Sequence, residues 1–166
     1  MSDCPFEKMQ KDHVQIEKGL RDLEKVLNVA EAYGSTVFEK EHHKMQHIRQ
    51  LIQHELGVHF QKEEDVLFPC LIQNNPEALS IIQGLISDHE DLKHLSEALV
   101  QAIQTEHLES LIEAGDEFLE RMSLNISREE AYYNEVSSEE LPPSMYQTLN
   151  HLLNQVTQRW VGVEMF

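Results

Sequence analysis

The chain has 166 residues, of which 40% are hydrophobic and 26% charged, so it can form a folded domain with a continuous core and is not a typical disordered segment. Its formal net charge of −17 argues against binding to nucleic acid or to anionic membranes, because both need clustered lysine and arginine. The amino-terminal sequence has no signal-peptide pattern, no apolar run is long enough to span a bilayer, and the two cysteines are far apart. We therefore expect a cytoplasmic protein with reduced thiols.

Four segments repeat apolar residues with the 3.6-residue period of an α-helix, and the low content of Gly and Pro favours long helices. Judged by their apolar stripes and boundary signals, they run from about Phe6 to Gly34, from Met45 to Pro69, from Asn75 to Ile103 and from Thr105 to Tyr133. Asn75 followed by Pro76 is typical of a helix start. Pro142-Pro143 interrupts the pattern and precedes a shorter fifth helix.

Short connections between these segments favour antiparallel packing of consecutive helices. The predicted fold is therefore all-α, an up-down-up-down four-helix bundle with an additional short C-terminal helix. We expect a single domain over residues 1–166, with the bundle at about 5–135 and the C-terminal helix at about 144–161.

Polar residues interrupt the apolar stripes where a bundle core normally has leucine. They are His13 and Glu17 in the first segment, His59 and Glu63 in the second, His89 in the third, and Asn125 and Glu129 in the fourth. A spacing of four residues turns two side chains to one face of a helix, so a single helix can offer two ligands.

Burial of so many polar groups is unfavourable unless they pair with one another or bind a metal ion. Imidazole and carboxylate groups together suit iron, manganese or zinc. Two interpretations remain open at this point, a metal site and a hydrogen-bonded polar core. The other histidines do not fit this pattern. We expect His43 and His47, which lie opposite the second stripe, to be solvated. His54 and His94 also face away from their stripes, and His107 and His151 have no obvious partner.

Four short strings contain these polar residues and together span most of the chain. They are Asp12-His13, His59-Phe60-x-x-Glu63-Glu64-x-x-Leu67-Phe68-Pro69, Asp88-His89-Glu90-Asp91-Leu92 and Ser127-Arg128-Glu129-Glu130. The strings resemble the motifs of hemerythrin-like (HHE cation-binding) domains, and the second is the most specific of them. Their H-x-x-x-E spacing differs from the E-x-x-H motif of ferritin-like bundles.

The resemblance implies an up-down four-helix bundle with a non-haem di-iron centre. Carried over to this sequence, Glu63 and Glu129 correspond to bridging carboxylates, and three histidines correspond to terminal ligands: His13, His59 and His89. The family's oxygen-binding members imply a small diatomic molecule or an oxidant as a possible further ligand.

Two positions depart from the family pattern. Asn125 stands where the fourth helix has a histidine, and Lys93 stands where the oxygen carriers have a second histidine on the third helix. The retained set of three His and two Glu is closer to the iron-sensing members of the family. The missing imidazole either leaves an open coordination position for O₂, NO, peroxide or water, or weakens the site until one metal ion or none binds. Glu17 is a candidate replacement ligand, although a hydrogen bond to a ligating histidine is favoured for it.

Three functional hypotheses follow. The leading one is a non-haem iron protein, with Mn or Zn as alternative metals, that senses or handles iron, O₂ or reactive oxygen and nitrogen species. A second is iron-dependent reduction of peroxide or NO, or repair of iron centres, but no acid or base stands out beyond the ligands, and Tyr132 and Tyr133 are interpreted as packing aromatics. A third is a metal-free interaction module. In that hypothesis the apolar stretch at 160–166 covers a protein partner or a second copy in a homodimer, or folds back on the bundle.

Overall fold

The computed structural model describes residues 4–136 and 138–161, and every regular element in them is helical. Helix α1 covers Pro5–Tyr33. It starts with a proline at its first position, where the missing N–H would have had no partner within the helix. It ends at Gly34, whose φ of 67° lies in the left-handed region that glycine adopts without strain, as the sequence predicts.

The second long helix of the bundle contains irregular turns. After the short helix α2 (Val37–Lys40), it comprises α3 (His42–Gln50), a π-helical turn (Leu51–Glu55), α4 (Leu56–Lys62), a second π-helical turn (Glu63–Leu67) and α5 (Phe68–Asn74). These five consecutive pieces form one uninterrupted helix over residues 42–74, which we call the second bundle helix.

The predicted stop of this helix at Pro69 is wrong, because the helix continues to Asn74. A proline normally breaks a helix, since it has no N–H and its ring crowds the carbonyl group one turn earlier. Here the π-helical turn Glu63–Leu67 directly precedes α5, and its wider turn changes the hydrogen-bond spacing at that point. The same turn contains Glu63, so the irregularity coincides with a predicted ligand.

The remaining helices follow the sequence predictions with small shifts of their bounds. Helix α6 (Leu79–Gln104) follows a 3-10 turn (Pro76–Ala78), and the side chain of Asn75 accepts a hydrogen bond from the backbone N–H of Glu77 at 3.3 Å. Helix α7 (Leu108–Glu135) starts later than predicted, because the ring of His107 caps it. Helix α8 (Tyr146–Arg159) is the additional C-terminal helix.

Ion pairs and contacts between neighbouring helices show the relative directions of these helices. Along α6 and α7, Asp88 pairs with Arg128 and Asp91 with Arg121, so residue numbers rise in one helix as they fall in the other. Helix α1 and the second bundle helix are antiparallel in the same way, and α8 packs across α4 and the π-helical turn after it. The predicted all-α bundle with an additional C-terminal helix is confirmed. None of the helices within the described ranges is apolar over a stretch that could cross a membrane.

The apolar core is divided into two clusters along the bundle axis. On α1, Phe6 and Met9 belong to one cluster and Ile16 begins the other, with His13 between them. On α7, Ile126 and Tyr132 lie in different clusters on either side of Glu129. The buried polar residues therefore form a layer between two apolar halves of the core.

Two glycines, one in a close contact between helices and one facing open space, allow the packing of the helices to be tested. A Cβ atom at Gly115 of α7 would lie 2.7 Å from Cδ2 of Leu27 on α1, whereas a Cβ at Gly84 of α6 would have no atom within 4 Å. We expect Gly115→Leu to lower the free energy of unfolding by about 1–3 kcal/mol through overpacking. Gly84→Ala should raise it by about 0.5–1 kcal/mol, because alanine restricts the unfolded chain. Urea unfolding measures both, and equal effects of the two changes would contradict this account of the packing.

Candidate metal centre

The three histidines and two glutamates that the family resemblance implies as ligands are buried in the layer between the two apolar clusters, each with at most 1% of its surface exposed. Each long helix of the bundle contributes. The residues are His13 from α1, His59 from α4 and Glu63 from the following π-helical turn, His89 from α6 and Glu129 from α7. The structure thus brings all five to one level of the bundle.

Four of these side chains point donor atoms at a common centre. Nε2 of His13 lies 3.1 Å from Nε2 of His59 and 3.2 Å from Oε1 of Glu129. Nε2 of His59 in turn lies 3.0 Å from Oε1 of Glu63. One ligand atom from each of His13, His59, Glu63 and Glu129 lies within 4.8 Å of the others, an arrangement able to hold a metal ion.

The carboxylate of Glu129 connects this group of four to His89. Its Oε1 faces His13, while its Oε2 accepts a hydrogen bond from Nε2 of His89 at 3.0 Å. The same nitrogen of His89 lies 3.6 Å from Oε1 of Glu63. His89 therefore stands on the opposite side of Glu129 from the two other histidines.

The outer ring nitrogen of each histidine faces a carboxylate from a different segment of the chain. Nδ1 of His59 lies 3.1 Å from Asp12, Nδ1 of His13 lies 3.2 Å from Glu130, and Nδ1 of His89 lies 3.5 Å from Glu64. A carboxylate at Nδ1 favours the tautomer with its proton there, which leaves the inner Nε2 lone pair free to bind a metal. The sequence patterns alone give these three carboxylates no role. Their positions could have indicated such a role, because each carboxylate is the direct sequence neighbour of a predicted ligand.

Burial and mutual charge shift the protonation of the inner groups. Burial favours the neutral form of Glu129, but hydrogen bonds from His13, His59 and His89 outweigh it and hold the pKa of Glu129 well below its usual range. Burial, together with the nearby charge of Glu129, raises the pKa of Glu63. For His89, burial opposes protonation, yet hydrogen bonds to Glu129 and Glu64 raise its pKa to about 9. For His59, burial likewise opposes protonation, but the charge of Glu63 and hydrogen bonds to Asp12 and Glu129 raise its pKa well above the usual value. Without a cation, protons on His59 and His89 therefore balance carboxylate charge in the layer.

Tyr133 is a site residue that the sequence analysis treated only as packing. Its ring stacks on Phe6 with 4.7 Å between centroids, and its buried hydroxyl donates a short hydrogen bond to Oε2 of Glu63. Burial and the negative charges of Glu63 and Glu129 raise the pKa of Tyr133, so the phenol remains a proton donor. Tyr133 thereby fixes the outer oxygen of Glu63 and leaves Oε1 directed at the histidines.

Glu17 does not face the interior, and its prediction as a ligand or as a hydrogen-bond partner of one is wrong. The structure leaves its side chain exposed. The buried positions of α1 include Met9, His13, Ile16 and Leu20, a pattern close to the seven-residue repeat of helices that pack along their length. Position 17 lies beyond the edge of that narrow stripe.

Asn125 is buried at the position where the family motif has a histidine, with 1% of its surface exposed. Neither its amide nitrogen nor its amide oxygen has a hydrogen-bond partner among the described residues. The hydroxyl of Tyr132 lacks one as well, so Tyr132 and Tyr133 differ in this respect.

The apolar C-terminal stretch begins by folding back on the bundle. Nε1 of Trp160 donates a hydrogen bond to Gln61 at 2.6 Å, and its ring lies against Gly57 of α4. Val161 is 74% exposed, and residues 162–166 of the predicted interaction tail lie outside the described residues.

The hydrogen bond from His59 to Asp12 offers a test of the outer contacts. Burial acts to raise the pKa of Asp12, but the hydrogen bond from His59 and the charge of Lys62 lower it. We expect Asp12→Asn to reduce metal affinity about 10- to 100-fold, because His59 loses a charged partner that orients its ring. Competition titration with a chelator measures this change. Glu17→Gln on the same helix is the matched control, and an equal loss of affinity there would contradict the assigned role of Asp12.

The comparisons with known proteins agree with this geometry at the level of the family. No curated protein and no solved structure gives a significant match to the chain. Residues 4–137 match the hemerythrin HHE cation binding domain, a range that contains all four long helices of the bundle and the buried His/Glu layer but ends before α8. The chain therefore belongs to the hemerythrin HHE cation binding domain family.

Proposed function

We propose that this protein binds non-haem iron, as one or two ions, and uses it to sense or handle iron, O₂ or reactive oxygen and nitrogen species. The observation that carries the proposal is the buried group of four side chains whose ligand atoms lie within 4.8 Å of one another. The proposed ligands are these four residues and His89 beyond Glu129: His13, His59, Glu63, His89 and Glu129.

The residues of the layer fit an iron ion chemically. Neutral imidazoles and carboxylates are a donor set that suits Fe, Mn and Zn, and Glu63 and Glu129 supply two negative charges to balance a divalent cation. Oε1 of Glu63 lies 3.0 Å from Nε2 of His59 as an ion pair, but it accepts no well-directed hydrogen bond from the described residues. A metal ion would satisfy such a buried carboxylate oxygen.

Iron bound in this layer would supply a redox-active centre able to bind O₂ or NO. The chain's own residues would prepare the centre for that chemistry. Asp12, Glu64 and Glu130 hold the histidine rings, and Tyr133 holds Glu63. The two apolar clusters above and below exclude water, which strengthens the charge interactions between ligands and metal.

Metal analysis of protein purified from iron-supplied cells, together with its absorbance spectrum, tests the proposal. We expect iron as the main metal, and a melting temperature that rises with bound iron by the linkage of binding to folding. Less than about 0.3 iron per chain, not restored by anaerobic Fe(II), would refute iron binding. A metal-free polar core predicts instead a melting temperature that is the same with and without iron.

Glu63→Ala provides the matched variant for this measurement, since it removes a proposed ligand. Asp65→Asn, two residues later, changes an exposed carboxylate of the same π-helical turn and should retain the iron. Equal iron content in both variants would place the metal elsewhere in the protein.

A further inference from the structure

We propose that the two sides of Glu129 within the buried layer bind different ligands. One metal ion binds to His13, His59, Glu63 and Glu129, and the side with His89 and Asn125 binds a small anion next to that ion in place of a second metal. The inference rests on the proposed function, because the anion requires a bound metal. Its chemical class is a small anion that accepts hydrogen bonds and coordinates a metal, for which azide is a suitable probe.

The two sides of Glu129 supply unequal numbers of metal ligands. On one side of Glu129, two imidazoles present their inner nitrogens, and together with Glu63 and Glu129 they complete a set of four. On the other side, His89 is the one imidazole among the described residues that contacts Oε2 of Glu129, and it does so through a hydrogen bond at 3.0 Å. A second ion there would lack the nitrogen ligand that a histidine at position 125 would supply.

The side chain of Asn125 ends in a buried amide close to Glu129 in the sequence. It lies one helical turn before Glu129 on α7 and is 1% exposed, yet both of its polar atoms lack partners among the described residues. A buried unpaired amide is unfavourable, and such groups in native proteins usually have a functional reason. The amide oxygen is a poor ligand for iron, but the amide nitrogen carries two hydrogens that can bind an anion.

The charge of the layer and the packing around Asn125 restrict which ligand can bind there. Glu63 and Glu129 would repel a free anion, so an anion is stable in the layer only when it coordinates the metal ion between those carboxylates and the histidines. Met122 and Ile126, the neighbours of Asn125 on the inner face of α7, are buried apolar side chains. A ligand in contact with Asn125 is therefore enclosed by core residues and has to be small.

Azide titration of the iron-loaded protein, followed by its charge-transfer absorbance, tests the inference. Asn125→Leu keeps the branching of the side chain but replaces the amide nitrogen and oxygen by methyl groups, which cannot donate a hydrogen bond. The iron content of the same sample is measured so that azide affinity refers to the loaded fraction. We expect about one iron per chain in the unmodified protein and an azide affinity about tenfold weaker in Asn125→Leu. Met45→Leu is the control, because Met45 is also buried but lies on α3, far along the second bundle helix from the layer, and this variant should bind azide as the unmodified protein does.

The metal-free proteins provide a second readout. If Asn125 has no partner in the folded chain, Asn125→Leu removes a buried unpaired amide and should raise the melting temperature of the metal-free protein by roughly 2–8 °C. A melting temperature that falls both in Asn125→Leu and in the smaller Asn125→Val, where overpacking is less severe, would mean that other groups satisfy the amide, and would overturn the inference.

The remaining outcomes separate this inference from the proposed function. Absence of iron from the unmodified protein would overturn both. Two irons per chain, loss of iron from Asn125→Leu, or equal azide affinity in that variant and the unmodified protein would overturn the inference while leaving iron binding intact.

Discussion

Replacement of Asn125 by histidine is expected to raise the iron content of the protein from about one towards two ions per chain. The new imidazole would lie one turn before Glu129 on the buried face of α7, at the level where His89 already contacts that carboxylate. His89 and the new side chain would then match His13 and His59 on the other side of Glu129. Anaerobic titration with Fe(II), followed by metal analysis after gel filtration, measures the stoichiometry.

A matched control separates completion of the site from binding by any added histidine. Met122→His introduces an imidazole one turn earlier on the same buried face. It should leave the iron content unchanged, because His89 pairs with Glu129 and not with that turn. An equal gain in both variants, or no gain in Asn125→His, would contradict the view that position 125 determines how many ions bind.

Loss of the negative charge of Glu129 is the second large expected effect. Glu129→Gln should weaken metal binding roughly a hundredfold or more, because a buried cation would lose a charged partner worth several kcal/mol. Both oxygens of Glu129 are involved: Oε1 faces His13, and Oε2 accepts a hydrogen bond from His89. The neutral amide would also present N–H hydrogens to one of these groups.

The measurement is the dissociation constant for Fe(II) or for Co(II) as a spectroscopic substitute, with the melting temperature as a check of folding. Glu120→Gln, an exposed position on the same helix, is the control and should bind metal as the unmodified protein does. Metal affinity within a few-fold of the control in Glu129→Gln would show that this carboxylate is not a ligand.

The helices and their buried faces could be predicted from sequence, because an amphipathic helix repeats its apolar positions at a fixed spacing. The same periodicity placed His13, His59 and His89 in the interior before any contact was known. Glu17 was misplaced for a related reason. The buried stripe of α1 alternates steps of four and three residues, and the step that follows His13 is three, to Ile16. A spacing of four from His13 therefore leads to an exposed position.

The contacts between helices could not be predicted, because they depend on the rotation and level of each helix in the bundle. The pairing of Asp12 with His59, and not with its sequence neighbour His13, is of this kind. The continuation of the second bundle helix through Pro69 was also beyond a pattern argument, since the π-helical turn before it has no composition of its own. The missing partners of Asn125 follow only from the packed arrangement around it.

The division of the apolar core into two clusters has a consequence for how the protein unfolds. Each of the long helices α1, α6 and α7 passes through both clusters, and the polar layer lies between them. In the absence of a cation, neighbouring helices are joined at the level of the layer by hydrogen bonds among groups that also interact favourably with water. A cation shared by His13, His59, Glu63 and Glu129 would tie the helices together at that level, so that the halves open as one cooperative unit. Native-state amide hydrogen exchange should then show separate opening of the two ends in the apo-protein and a single shared opening energy after metal loading. Identical exchange patterns in both states would mean that the layer does not couple the two ends.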